Sequence, residues 1–312
     1  MGMFIDGQWH VQDVNPKTTS GAFERLPTTC RDVIATDSAY LPESGRYQLI
    51  VSYACPWAHR TLIYRKIKGL VDHISVAVVH PYMGPHGWDF SQGEGVLPPT
   101  FGEFKSLGEV YLAHDATFTG RVTVPVLWDL KTNAIVNNES SDIIRMFNSE
   151  FNALTGNPID LFPPQLQDEI IRWNSSIYDD INNGVYKVGF ARSQDVYNQE
   201  VIRLFTALDE IDRHLESRPF LCGDALTESD IRLFVTLLRF DPVYVGHFKC
   251  NLQRIKDYTH LSAYMDRVRT AYDIEDTIHM DHIKDHYYMS HPTINPSGIV
   301  PLGPVDPVGD NG

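Results

Sequence analysis

The chain has 312 residues, 43% of them hydrophobic and 21% charged. That is ordinary for a globular protein and long enough for roughly two domains. Its 26 basic and 40 acidic side chains leave a net charge of −14, which argues against a nucleic-acid footprint and against docking on an anionic membrane. No run approaches the roughly 18 apolar residues of a spanning helix. No basic-then-apolar leader opens the chain, and Asp6 stands where a myristoylation signal needs Ser or Thr. The four cysteines, Cys30, Cys55, Cys222 and Cys250, form no CxxC pair. That spacing is expected of a cytoplasmic protein whose thiols stay reduced.

Residues 1–45 show no clear periodicity and are expected to be an irregular N-terminal extension. The β-prone run from Arg46 to Tyr53 predicts a buried strand. Cys55 and Pro56 follow, and proline suits a first helical turn. Leu62, Ile63, Ile67 and Leu70 then recur at helical spacing, with Gly69 near the end. His73 to His80 reads as a second strand, so the two strands should be parallel, as in a βαβ unit. Residues 81–120, rich in Pro and Gly, form a long irregular insertion of the kind that is usually functional. Val122 to Trp128 is a strand broken by Pro125, and a tight turn leads to an antiparallel partner at Ala134–Val136. A helix starts at Ser140. After a Pro- and Gly-containing linker, residues 165–290 carry helical periodicity throughout, and 291–312 form an extended tail.

The strongest chemical signal is Cys55. A cysteine at a helix start faces unpaired backbone N–H groups and the positive end of the dipole, both of which favour the reactive thiolate. Nearby His59 and Arg60 can add positive charge. Ala58 occupies the place of the second cysteine in dithiol oxidoreductases, so Cys55 should form a mixed disulfide with a small thiol. Pro125 after Val124 marks an edge or special backbone geometry. Glu139 and Ser140 open a helix, where free N–H groups and a hydroxyl can hold a carboxylate while Glu139 takes an ammonium group. Each feature alone has an ordinary structural reading: a buried cysteine, an edge proline, an N-cap. Together, in this order, they are far more specific.

Four segments carry a family resemblance: YACPWAHR at 53–60, GRVTVPVLWD at 120–129, VNNESS at 136–141, and VYK with GFA at 185–191. With the HYY of 286–288 and the Asn295-Pro296 tail, they resemble the glutathionyl-hydroquinone reductases, the xi class of glutathione transferases, across roughly Phe23 to Pro304. The resemblance implies a glutathione-transferase architecture. An α/β thioredoxin-like thiol-binding domain spans 46–150, with Pro125 cis, and an all-α domain spans 165–290. It implies a homodimer that reduces S-glutathionyl-hydroquinones with glutathione and without a metal. By that resemblance Cys55 is the nucleophile. Trp88, Arg121, Val124, Pro125, Glu139 and Ser140 hold glutathione. Tyr186 and one of Tyr287 or Tyr288 flank the aromatic substrate.

Other clusters have plainer readings. His279, His282 and His286 share a helix face, with His291 nearby, but the surrounding aspartates favour a polar surface over zinc. Cys222 and Cys250 lie in apolar stretches and read as inert. Thr227 and Asp230 have N-cap and first-turn character. Two alternatives compete: an omega-type transferase or dehydroascorbate reductase, and a non-enzymatic transferase-like interaction module.

Overall fold

The computed structural model of the chain describes residues 2–11 and 27–304. Met1, residues 12–26 and residues 305–312, which include parts of the expected extension and tail, lie outside the described residues. The first surprise is at the start. β1 (Met3–Ile5) and β2 (Gln8–His10) pair antiparallel, so the extension is not wholly irregular. Asp6 and Gly7 join them, both at positive φ (47° and 75°), as a two-residue primed turn requires.

The α/β half is a four-stranded sheet in the order β4-β3-β5-β6. β3 (Tyr47–Val51) is central and buried at every residue. It pairs parallel with β4 (Ile74–Val78) and antiparallel with β5 (Val126–Asp129), and β5 pairs antiparallel with β6 (Ala134–Asn137). The expected strands are all present; the first three are shorter than their apolar runs, and the last extends one residue further, to Asn137. Tyr53 lies past the end of β3, and the third strand begins only after Pro125, which lacks the N–H a ladder needs.

α1 (Pro56–Ile67) connects β3 to β4. Pro56 fills its first position. At the other end Gly69 (φ 69°) and Leu70 donate to the carbonyls of Lys66 and Arg65 at 3.0 and 2.8 Å, the paired bonds of a Schellman stop. α1 is buried almost all round, because it packs on α3 (Ser140–Ser149) and on a helix of the second half. The 81–120 insertion is more ordered than its composition implied. It holds α2 (Leu107–His114), begun by a Ser106/Glu109 capping box, and Phe101 stacks on Trp128 with centroids 4.4 Å apart.

The second half is helical. A short α4 (Asn152–Thr155) lies in the linker. α5 (Gln167–Ser176) runs through a π turn (Ile177–Asn182) into α6 (Gly184–Gly189). α7 (Gln194–His214), α8 (Glu228–Leu237), α9 (Thr259–Thr270) and α10 (Met280–Ser290) follow. α8 is buried at every position. The Asp230 carboxylate makes this possible. It accepts from Thr227 N and Oγ1 (2.8 Å each), Leu221 N (2.9 Å) and Tyr264 OH (3.1 Å).

Asp230→Ala removes one half of a capping box and the acceptor of Leu221 N, Thr227 N and Thr227 Oγ1, while Tyr264 OH keeps the backbone carbonyl of residue 230 at 3.3 Å. It should lower unfolding stability by about 2–4 kcal/mol in a urea titration. Cys55, on another element, should keep its reactivity. A change within experimental error would show that Asp230 does not organise α8.

Candidate active site

Cys55 is the N-cap of α1, with extended backbone (φ −75°, ψ 121°) and no side-chain cap of its own. Its amide donates to Ser52 O at 3.1 Å. The half-buried sulfur lies 3.7 Å from Val124 O. Val124 precedes a cis peptide to Pro125, so the segment leading into β5 brings a backbone carbonyl to the sulfur. Pro125 itself lies buried beneath the wall.

A single cavity is lined by Cys55, Trp88, Arg121, Val124, Tyr186 and Tyr287, among others. α1, the insertion, the segment before β5, α6 and α10 thus meet at one place. Trp88 comes from the insertion and stacks on His286 of α10 (4.7 Å, 28°). Glu139 and Ser140 are set one step back and are not part of the lining. Glu139 caps α3, its Oε1 accepting from Ser141 N at 3.0 Å. Its Oε2 accepts from Thr28 Oγ1 at 3.2 Å, and Thr28 does line the cavity.

The structure separates the two adjacent tyrosines. Tyr287 faces the cavity, its hydroxyl 2.6 Å from that of Tyr186 and 2.9 Å from that of Tyr244. Tyr288 points away and donates to Pro242 O at 3.1 Å. Burial pushes the Tyr244 and Tyr287 hydroxyls well above the ordinary tyrosine pKa. Both are therefore protonated donors at neutral pH.

Of the two expected cations after Cys55, His59 behaves differently from what its nearness in sequence implied, and Arg60 keeps a charge that interacts with Cys55. His59 is buried, which holds its pKa well below the usual value, with Arg239 as a further cause. The ring is neutral and adds no charge. Its Nδ1 accepts from Arg239 Nη1 (3.2 Å), which can only donate, so Nε2 carries the proton toward Thr277 Oγ1 (2.9 Å). Arg60 is also buried. Burial pushes it down to about 9, so it remains a cation at neutral pH. It donates to Asn182 Oδ1 at 2.7 Å and lies over the Trp57 ring at 4.4 Å.

The histidine cluster is dispersed by its partners. His279 stacks on Tyr53 (3.6 Å), His282 bonds to Glu94 O (2.9 Å), His286 to Pro81 O (3.0 Å) and His291 to His247 (3.0 Å). Among the described residues no group of three His, Cys, Asp or Glu is placed to hold a metal ion. Likewise, no helix among them is long and apolar enough to cross a membrane.

Three contributors escaped the sequence reading. Tyr244 and Arg239 reach the site from the end of α8 and the turn after it, far from any local motif. Trp9 lines the cavity from β2, its Nε1 donating to Pro85 O at 3.2 Å. The hairpin that carries it is tied to the residue before Arg121 by Phe4–Gly120 bonds of 2.9 and 3.0 Å. The Asp6-Gly7 pair between two β-prone triplets was the available signal for it.

Residues 54–150 match the glutathione S-transferase N-terminal domain family and 194–267 the C-terminal one. The chain is 47% identical, over 99% of its length and 98% of the relative's, to the glutathionyl-hydroquinone reductase PcpF of Sphingobium chlorophenolicum. Among solved structures, a xi-class GST from Natrialba magadii superposes with a TM-score of 0.91 at 45% identity, covering 98% of this chain and 93% of that one. The glutathione-bound structure of YqjG, a glutathione transferase homologue from Escherichia coli K-12, gives 0.89 at 44% identity, covering 98% and 96%. Fold and site define a glutathione transferase with an α/β thioredoxin-like half and an all-α half, and the protein is an enzyme. The chain belongs to the glutathionyl-hydroquinone reductase family, the xi class.

Two predictions follow from the titrating groups. Burial raises the thiol pKa of Cys30, lifts Cys222 to about 11 and raises Cys250 strongly. Iodoacetamide at neutral pH should therefore modify Cys55 first, as read by peptide mass spectrometry. Earlier labelling of Cys222 or Cys250 would contradict this. Second, burial lowers His247 and His286 to about 4 and His291 to about 2, from an ordinary 6.5. Between those limits the unfolded chain binds protons that the folded chain refuses. Stability should thus fall as pH drops from about 6.5 toward about 4. Urea unfolding at pH 7 and pH 5 tests it; equal stability at both would refute the neutral-histidine assignment.

Proposed function

We propose that the protein reduces S-glutathionyl-hydroquinones with glutathione through a Cys55 mixed disulfide. The observation that supports this most is that the start of α1 and the Tyr186–Tyr287 hydroxyl pair open on the same cavity. The Cys55 thiolate attacks the sulfur of the conjugate. A Cys55–glutathione disulfide forms, the carbon–sulfur bond breaks, and its electron pair stays on the ring carbon. The ring carbon takes a proton from Tyr186 or Tyr287, whose hydroxyl also hydrogen-bonds the substrate oxygen, and the thiol proton of the second glutathione restores that tyrosine. A second glutathione then attacks the glutathionyl sulfur, returning the Cys55 thiolate and releasing glutathione disulfide. That is a ping-pong cycle with balanced electrons.

In this reading Trp88, Arg121, Val124 and Pro125 form the glutathione end. Arg121 supplies the positive spot that an anionic thiol needs in a chain of net charge −14. Glu139 and Ser140 act at the start of α3, where free N–H groups suit a carboxylate. Tyr287, not Tyr288, works at the aromatic end. The enzyme works as a homodimer in the reducing cytoplasm.

The assay is glutathione-dependent reduction of glutathionyl-menadiol. Cys55→Ser should abolish it, because a hydroxyl cannot form the disulfide. Tyr287→Phe should slow it on the order of 10²-fold, whereas Tyr288→Phe should stay close to wild type. Retained turnover in Cys55→Ser would sink the mechanism. A clear preference for dehydroascorbate would move the enzyme to the omega-type reading.

A further inference from the structure

Arg239 follows the buried run of α8 and is itself wholly buried. Its guanidinium donates to Ala54 O (Nε, 2.8 Å), Tyr53 O (Nη2, 3.1 Å), Val235 O (Nη1, 2.7 Å) and His59 Nδ1 (Nη1, 3.2 Å). Every partner is a neutral acceptor, and no carboxylate among the described residues pairs with it. A buried guanidinium stays protonated, and leaving such a charge uncompensated is strongly unfavourable. Two of the carbonyls it grips belong to the residues immediately before Cys55. Its charge also reaches the other side of the cavity, where it favours the ionised forms of Tyr244 and Tyr287 against the larger effect of burial.

We propose that Arg239 is a positioning residue whose buried charge has the Cys55 thiolate as its counter-ion. Its bonds to Tyr53 O and Ala54 O hold that sulfur at the start of α1 from the opposite half of the molecule. Charge and clamp act together: the second half contributes to the nucleophile without touching it. This rests on the Cys55 chemistry proposed above. The other ionisable groups facing this place stay constant across the variants. They are His59 and Arg60 of α1, Arg121 before β5, Glu139 at α3, Tyr186 of α6, Tyr244, and His286 and Tyr287 of α10.

The test is the pH profile of Cys55 alkylation by iodoacetamide, read by mass spectrometry, in wild type, Arg239→Lys and Arg239→Gln. Lysine keeps the charge, and glutamine keeps only a donor. Arg239→Lys should stay within a few-fold of wild type at neutral pH. Arg239→Gln should react roughly tenfold more slowly there and converge with wild type at high pH, an upward shift of about one unit. A wild-type profile in Arg239→Gln, or equal loss in both variants at every pH, would overturn the counter-ion role. A second measurement needs no change at Arg239. A thiolate with a lowered pKa stabilises the fold as pH rises toward the unfolded thiol value of about 8.5. Wild type should therefore gain stability over Cys55→Ser between acid and pH 8, and a constant difference would also overturn the proposal. If wild-type Cys55 itself alkylates like a free thiol, the Cys55 mechanism fails as well, which separates the two ideas.

Discussion

One constraint organises this molecule: α1 must begin, open-ended, beside a half-exposed sulfur while nearly all of its length is buried. A helix start leaves N–H groups without partners, and burying them unsatisfied is unfavourable. Pro56 removes one such donor, and Cys55 offers no side-chain cap. An anionic sulfur at the N-cap is favoured by the positive end of the helix that follows it. The all-buried β3 fixes where α1 starts, the Schellman stop at Gly69 fixes where it ends, and the segment leading into β5 brings Val124 O alongside. A packed scaffold on every other side is what keeps this one end from rearranging.

The division into halves follows the division of chemistry. Most of the cavity on the Cys55 side comes from the α/β half, through Trp88, Arg121 and Val124. The hydroxyl-rich side comes from the helical half, through Tyr186, Tyr244 and Tyr287. Tyr287 sits between two other hydroxyls, and with one proton each these three groups form a short directed chain. Burial holds the Tyr244 and Tyr287 hydroxyls well above the ordinary tyrosine pKa and makes hydrogen bonds here electrostatically stronger than they would be in water. The two sides are joined by the Trp88–His286 stack and by Arg239, so neither side is organised alone.

Local signals carried much of this. Cys55-Pro56, Val124-Pro125 and Glu139-Ser140 each declare a helix start or a broken strand through backbone chemistry that acts over two or three residues. The βαβ order and the helical second half were legible from periodicity for the same reason. Inference from closeness in sequence to closeness in charge held for one neighbour and failed for the other. His59 and Arg60 follow Cys55 within one turn; Arg60 stays a cation whose charge interacts with Cys55, while His59 is neutral. Arg239 lies 184 residues after Cys55 in the numbering, and no periodicity reports a contact made by a guanidinium across the boundary between halves. The choice between Tyr287 and Tyr288 needed the rotation of α10, which its partners set. The β1–β2 hairpin was a different kind of miss, since its Asp-Gly turn was readable.

These placements bear on how the site holds an anion in an acidic protein. The cations near the cavity are arginines: Arg121 in the wall, with Arg60 and Arg239 behind it. The histidines around it, His59, His286 and His291, are held neutral by burial. Arginine does not lose its proton in the physiological range, and these histidines do not gain one. The local positive field is therefore independent of pH between roughly 5 and 8, whereas exposed histidines in the same places would have made it titrate. The arginine charges and the buried neutral histidines thus form a part of the field around the cavity that stays fixed as the solution pH changes.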